Sequence, residues 1–143
     1  MLYLYNNNYI LDISNKKINL VDIYPDFIFK KNGAVVSFIG TIKKSSFGEL
    51  NKIYYDIFFE LAFFLLKKKL DYLTNKYGCN IYLRQYFGYL LLGDINIVIV
   101  VSSSTRSVSF DVCRSLLEYI KAIIPIWKKE FYSDNTYKWV NTF

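Results

Sequence analysis

Lys121 and Lys128 stand seven residues apart, with Pro125-Ile126-Trp127 between them. A helix that runs up to the proline carries Lys121 near its end, and the turn beyond it can bring Lys128 back beside it. Two ammonium groups would then share one pocket. Burial and mutual repulsion lower a lysine pKa toward a value useful for proton transfer. Spacing alone favours the plainer reading, two solvated surface lysines. Arg106 follows Ser102-Ser103-Ser104-Thr105 where a strand delivers the chain to a helix start. Free amides at a helix N-terminus together with a guanidinium make an anion site. Ordinary capping also wants hydroxyls there, and on its own that is the commoner reason for such a run.

Other chemistry is excluded by what is missing. The chain of 143 residues has no histidine, so imidazole is absent as base, pH switch and metal ligand. We expect no protein-built metal site and no bound cofactor. Acid–base work falls to lysines, carboxylates, tyrosines or thiols. The two cysteines, Cys79 and Cys113, form no Cys-x-x-Cys pair and read as small buried apolar residues.

The elements that must position these groups follow from periodicity. Tyr9 to Ile13 alternates loosely as a short strand, and the apolar segment Val21 to Phe29, interrupted by Pro25, is ambiguous. Gly33 to Ile42 is a β-branched run between glycines and reads as a buried strand, with a loop at Lys43 to Gly48 and a second strand from Lys52 to Ile57. Phe58 to Tyr77 switches to helical period and ends at Gly78, with Leu61, Leu65, Leu66, Leu70 and Leu73 on the buried side. Lys67-Lys68-Lys69 point in different directions on such a helix and read as a solvated face. Strands are expected near Cys79 to Phe87 and Asn96 to Ser102, joined through Gly88 to Asp94. A last helix spans Ser107 to Ile124, with Val112, Leu116, Leu117, Ile120, Ile123 and Ile124 as its stripe, and Pro125 stops it. Strands mixed with two long helices, without a regular strand–helix repeat, predict an α+β fold with antiparallel pairs.

Length and composition fit one domain over residues 1–143, with 53 % apolar residues to fill a core. Uncharged stretches fall short of the roughly 20 residues that cross a bilayer, and the N-terminus lacks signal-peptide character, so we expect a cytoplasmic protein with no membrane contact. A net charge of +6 favours anionic partners. Yet 15 of the 18 basic residues are lysine, in a chain crowded with Asn, Ile, Tyr and Phe, as drift in an AT-rich genome would produce. A nucleic-acid binder would need a basic stripe with exposed aromatics for stacking. The lysines here are scattered and most of the aromatics are expected to face the core.

Five segments in order resemble one family. Gly33-Ala34-Val35-Val36-Ser37-Phe38-Ile39-Gly40-Thr41-Ile42-Lys43 is similar to the opening signature of the molybdopterin synthase catalytic subunit, the MoaE family. Tyr55-Asp56-Ile57-Phe58-Phe59-Glu60-Leu61-Ala62, the turn Gly88 to Asp94, and Ser103-Ser104-Thr105-Arg106-Ser107-Val108-Ser109-Phe110 follow its next three motifs. Leu116 to Lys121, leading into Pro125-Ile126-Trp127-Lys128-Lys129-Glu130, follows the fifth, and Trp139 fits the closing pattern. The resemblance covers about residues 33 to 140.

The resemblance implies an α/β-hammerhead-like fold and a defined job. A small ubiquitin-like sulfur-carrier subunit, whose Gly-Gly tail ends in a thiocarboxylate, would insert that tail into a pocket of this chain. Two successive sulfur transfers would convert cyclic pyranopterin monophosphate to molybdopterin, in a heterotetramer built on a homodimer of this chain. Lys121 would stand at the carrier's terminal carbonyl as proton carrier or oxyanion stabiliser, and Lys128 would sit in the same pocket with Glu130 as its orienting partner. Arg106, Thr105 and Lys43 would bind the substrate phosphate or pterin. The chain departs from the family at three places. Thr105 stands where the family has histidine, Lys43 where it has arginine, and Gln85-Tyr86 where it has His-Arg, with Arg84 expected on the opposite strand face. These losses of charge and of the planar fork make a catalytically silent relative that only binds the carrier the rival reading.

Overall fold

The computed structural model describes residues 2–22, 30 and 32–140. Two sheets organise the chain. The larger has the order β1-β2-β5-β7-β3, formed by Leu2–Tyr5 (β1), Tyr9–Ser14 (β2), Ala34–Thr41 (β3), Asn80–Tyr86 (β5) and Ile95–Ser103 (β7). The smaller has the order β6-β4-β8-β9, from Leu50–Ile57 (β4), Gly88–Leu90 (β6), Ile126–Tyr132 (β8) and Tyr137–Val140 (β9). Among the described residues only β2 and β5 pair in parallel, and every other ladder is antiparallel. Helices Phe59–Tyr77 (α1) and Arg106–Ile123 (α2) pack on the larger sheet, α1 against β2 and β5, α2 against β7 and β3. This is an α+β fold, as the mixed pattern predicts.

β7 lies next to the middle of its sheet because Val98, Ile99, Val100 and Val101 can be buried on both faces. Its neighbours β5 and β3 complete the ladder, and Ser103 Oγ bonds Ser109 Oγ at 2.6 Å, tying the strand end to α2. α1 closes as expected at Gly78, whose φ of +62° is free of a Cβ clash and whose N–H donates to the Thr74 carbonyl at 3.0 Å. Its buried stripe is Ala62, Leu66, Leu70 and Leu73; Leu65 is half-buried, and Leu61, expected inside, is 42 % exposed because Ala62 takes the core-facing position one residue on. In α2, Val112, Leu116 and Ile120 are buried and Leu117 half-buried. Ile123 is exposed, a correction that follows from Ile124 turning inward as the first residue past the helix.

Strands β1, β6, β8 and β9 were not anticipated, and most of the segment Val21 to Phe29 lies outside the described residues. The aromatics also depart from expectation. Phe64, Tyr89, Phe110, Trp127, Tyr137 and Trp139 are all more than half exposed; of these, Phe64 on α1 and Tyr89, Tyr137 and Trp139 on the smaller sheet lie beneath lysine ammoniums rather than in the core. Lys67 and Lys68 are exposed, the first paired with Asp71 at 2.9 Å, while Lys69 is half-buried over the Tyr119 ring. Cys79 and Cys113 are free and buried, and burial pushes both thiols up to about 11. Among the described residues no helix is long and apolar enough to cross a membrane, and no cluster of three metal-ligating side chains occurs.

Candidate active site

The pocket forms where the two sheets meet the end of α2. β3 carries a register shift at Gly40/Thr41 that re-aims the chain into the loop at residues 42–49. Glycine is required at this bend: a Cβ on Gly40 would lie 2.6 Å from Ile97 Cγ2 and 2.8 Å from Asn96 Oδ1. On the other wall, α2 ends at Ile123 and the chain reverses through Pro125, where Phe58 N–H donates to the Pro125 carbonyl at 3.2 Å and so ties the turn to the end of β4. The reversal places Lys121 and Lys128 on one cavity of about 480 Å³, also lined by Lys43, Ser45, Tyr55 and Glu130. That size suits a small ligand or an extended tail.

β8 supplies the floor. Its alternation sends Ile126, Lys128, Glu130 and Tyr132 inward and Trp127, Lys129 and Phe131 outward. The Lys128 side chain retains 19 % exposure, and its Nζ stands 3.9 Å from Glu130 Oε2, an ion pair without a direct hydrogen bond. Burial holds the Lys128 ammonium below the ordinary lysine range; Glu130 opposes that, and the positive charges of Lys43 and Lys121 add to it. Glu130 is buried, and its Oε1 accepts two hydroxyl hydrogen bonds, from Ser45 Oγ at 2.6 Å and from Tyr132 OH at 2.8 Å. Across the ladder, Tyr55 pairs with Lys128. Burial pushes the Tyr55 phenol up to about 12, moderated by the hydrogen bond that Asn96 Nδ2 donates to it at 3.2 Å, with Glu130 reinforcing the rise.

Such a cavity can do two things. It attracts an anionic or electron-rich group to three ammoniums, and it offers an amine whose proton is more readily given up than that of a solvated lysine. Thr105 and Arg106 are not in it. They are exposed at the opposite end of α2, where Thr105 Oγ1 accepts from Val108 N–H at 3.4 Å. Fifteen residues of helix separate Arg106 from Lys121, about 22 Å at 1.5 Å per residue. Arg84 points to the other face of its strand, as its place in the alternation predicts; its Nη2 donates to the Lys16 and Lys17 carbonyls at 2.9 and 3.3 Å, and its Nε lies 3.7 Å from Asp12. Ser45, Tyr55 and Tyr132 join the site without being among the residues expected there. Two-residue spacing from Lys128 through Glu130 to Tyr132 carried that information, once a strand is recognised there.

Known proteins resemble this chain in sequence and in fold. The family model described as MoaE protein matches residues 13–123. The molybdopterin synthase catalytic subunit of Thermoplasma volcanium is 30 % identical over 135 residues, covering 93 % of this chain and 98 % of that one. Its namesake from Bacillus subtilis is 28 % identical over 131 residues, covering 90 % and 83 %. The crystal structure of molybdopterin synthase from Staphylococcus aureus superposes with a TM-score of 0.81 at 28 % identity, covering 96 % of this chain and 98 % of that one. The same fold recurs in a complex of subunits 1 and 2 of molybdopterin-converting factor from Helicobacter pylori, with a TM-score of 0.80 at 20 % identity and coverage of 92 % and 90 %. With pattern, fold and relatives in accord over nearly its whole length, this chain belongs to the MoaE family.

Proposed function

We propose that this chain is the catalytic subunit of a molybdopterin synthase, acting in molybdenum cofactor biosynthesis by passing two sulfurs from a thiocarboxylated small subunit to cyclic pyranopterin monophosphate. The observation that carries the reading is the convergence of Lys43, Lys121, Lys128 and Glu130 on one cavity in a member of this family. Once the carrier's sulfur has bonded to a substrate carbon, water attack on the resulting thioester carbonyl develops negative charge on oxygen before its C–S bond breaks and the carrier leaves as a carboxylate, and ammonium groups in a partly dry cavity stabilise that charge better than water does. Lys121 faces the carrier's terminal carbonyl in this scheme. Lys128, held below the ordinary lysine range, moves the proton, and Lys43 adds charge at the strand end toward the substrate's cyclic phosphate.

Arg106 and Thr105 act on the substrate through a second copy of the chain. They cannot reach the cavity of their own copy across about 22 Å of helix, so a homodimer is the arrangement that gives them a role. β3 supports such pairing. It is the outer strand of its sheet, and Ala34–Thr41 contains no charged residue and no proline, an edge that proteins ordinarily cover.

Single-turnover conversion of cyclic pyranopterin monophosphate with thiocarboxylated carrier tests the reading, comparing the native chain with Lys121→Ala. Product from the native chain and a loss of about 10²-fold or more in the variant are expected. Native protein that binds carrier yet forms no product would establish the silent-relative reading, with Thr105 and Lys43 as the first residues to restore.

A further inference from the structure

We infer that Ser45 and Tyr132 are positioning residues that hold the Glu130 carboxylate away from Lys128 and thereby set the protonation of that lysine. The inference concerns the same cavity and rests on the proposed function only for its effect on turnover. Both hydroxyls donate to one oxygen, Oε1, at 2.6 and 2.8 Å, while the free oxygen, Oε2, stops 3.9 Å short of Lys128 Nζ. A charge-assisted bond between ammonium and carboxylate would close to about 2.8 Å. The Ser45 hydroxyl is itself directed: it accepts from Phe47 N–H at 3.1 Å, so its proton is the part left to face Glu130. Tyr132 is buried at the end of β8, and its ring lies against Gly48, where an added Cβ would sit 3.2 Å from Tyr132 Cδ1. Loop and strand therefore clamp the carboxylate from two sides.

Among the described residues, the other titratable groups facing Lys128 are Lys43 from the loop after β3, Tyr55 from β4 and Lys121 from α2, while on β9 Val140 stands opposite Lys128 and Lys138 opposite Glu130. Glu130 is the one acid among them. With the clamp intact its charge is shared with two hydroxyls, and burial and the two lysines prevail in holding Lys128 low. Freed from either hydroxyl, the carboxylate turns toward the ammonium and favours its charged form. The sign is the same whether turnover needs Lys128 neutral or charged: the limb of the pH profile that reports it moves up.

The decisive measurement is the titration of Lys128 by NMR on chain labelled with carbon-13 at lysine Cε, its signal assigned by its absence in Lys128→Ala. Ser45→Ala and Tyr132→Phe are each expected to raise the Lys128 pKa by roughly 0.5–1 unit, and Ser45→Thr, which keeps the hydroxyl, to restore the native value. A titration that is unchanged or lowered in both variants overturns the inference, and this readout needs neither carrier nor substrate. The pH profile of single turnover then follows the same shift. A native chain that makes no product overturns the functional reading alone, and the titration still decides the role of the clamp.

Discussion

On β8, Lys128 and Lys129 are adjacent, yet the pleat sends them to opposite faces of the four-stranded sheet. Lys128 enters the cavity, meets a buried carboxylate and two further lysines, and is held below the ordinary lysine range chiefly by burial. Lys129 lies over aromatic faces, 3.9 Å from the Tyr137 centroid, 5.0 Å from Phe131 and 5.5 Å from Trp139. β4 repeats the contrast. Tyr55 turns inward with its phenol pushed up to about 12, while Tyr54 turns outward and packs tilted against Tyr89, ring centroids 4.8 Å apart. Residue type does not separate cavity-facing from outward-facing groups here. The face of the strand does, because it decides whether water or a second charge is the neighbour.

The largest effects should divide along that line. Lys128→Ala is expected to lower single-turnover sulfur transfer by about 10²–10⁴-fold, and Lys129→Ala by less than about twofold; equal losses from the two would break the comparison. Stability should divide the same way. Ile53 is 2 % exposed and pairs across the ladder with Leu90 and Glu130, so Ile53→Ala should cost about 2–5 kcal/mol in urea unfolding. Trp127 on the outer face is 51 % exposed, and Trp127→Ala should cost about 0.5 kcal/mol.

The same contrast explains what could be read from sequence. β7 and both helices were legible because their apolar residues follow a single period and bury a continuous face: Val98 to Val101 for the strand, Val112, Leu116 and Ile120 for α2. β8 was not, because its inward positions 128 and 130 carry a lysine and a glutamate where a strand buried on one face ordinarily carries apolar residues. The site itself disguised the element. β1 is short and its Tyr3 and Tyr5 are exposed at a sheet edge, so it offers little pattern. Lys43, Lys121, Lys128 and Glu130 were identified by motif resemblance, and the fold brings these four together. The distance between Arg106 and that group was invisible, since motif order carries no information about which end of a helix faces a pocket. The clamp on Glu130 was hidden for a related reason: Ser45 and Tyr132 are 87 residues apart in sequence and meet only when the loop after β3 folds over β8.

Tyr55 sharpens the comparison through pH. Its folded pKa of about 12 lies above the ordinary tyrosine value near 10. Between those values the folded state holds a proton that the unfolded state has lost. The associated stability is therefore fully present below about pH 10 and disappears as pH rises toward 12, a total of roughly 2–3 kcal/mol. Denaturant titrations at pH 9 and pH 11 should show Tyr55→Phe losing about 1.4 kcal/mol less stability than the native chain, the half of the effect that falls within this interval.

The smallest effect belongs to the outer face. Lys52 Nζ lies 4.8 Å from the Tyr89 centroid and 5.3 Å from Phe131, so Lys52→Met keeps most of the aliphatic cover and removes only the attraction of charge for the rings. At a partly exposed site that attraction is worth about 0.5–1 kcal/mol, readable as a lowered urea midpoint with an unchanged slope. Sulfur transfer should be unaffected, because Lys52 stands on the reverse side of the strand that carries Tyr55. A loss of turnover in Lys52→Met at full folding would mean that the outer face communicates with the cavity, and the division of labour between the two faces would have to be redrawn.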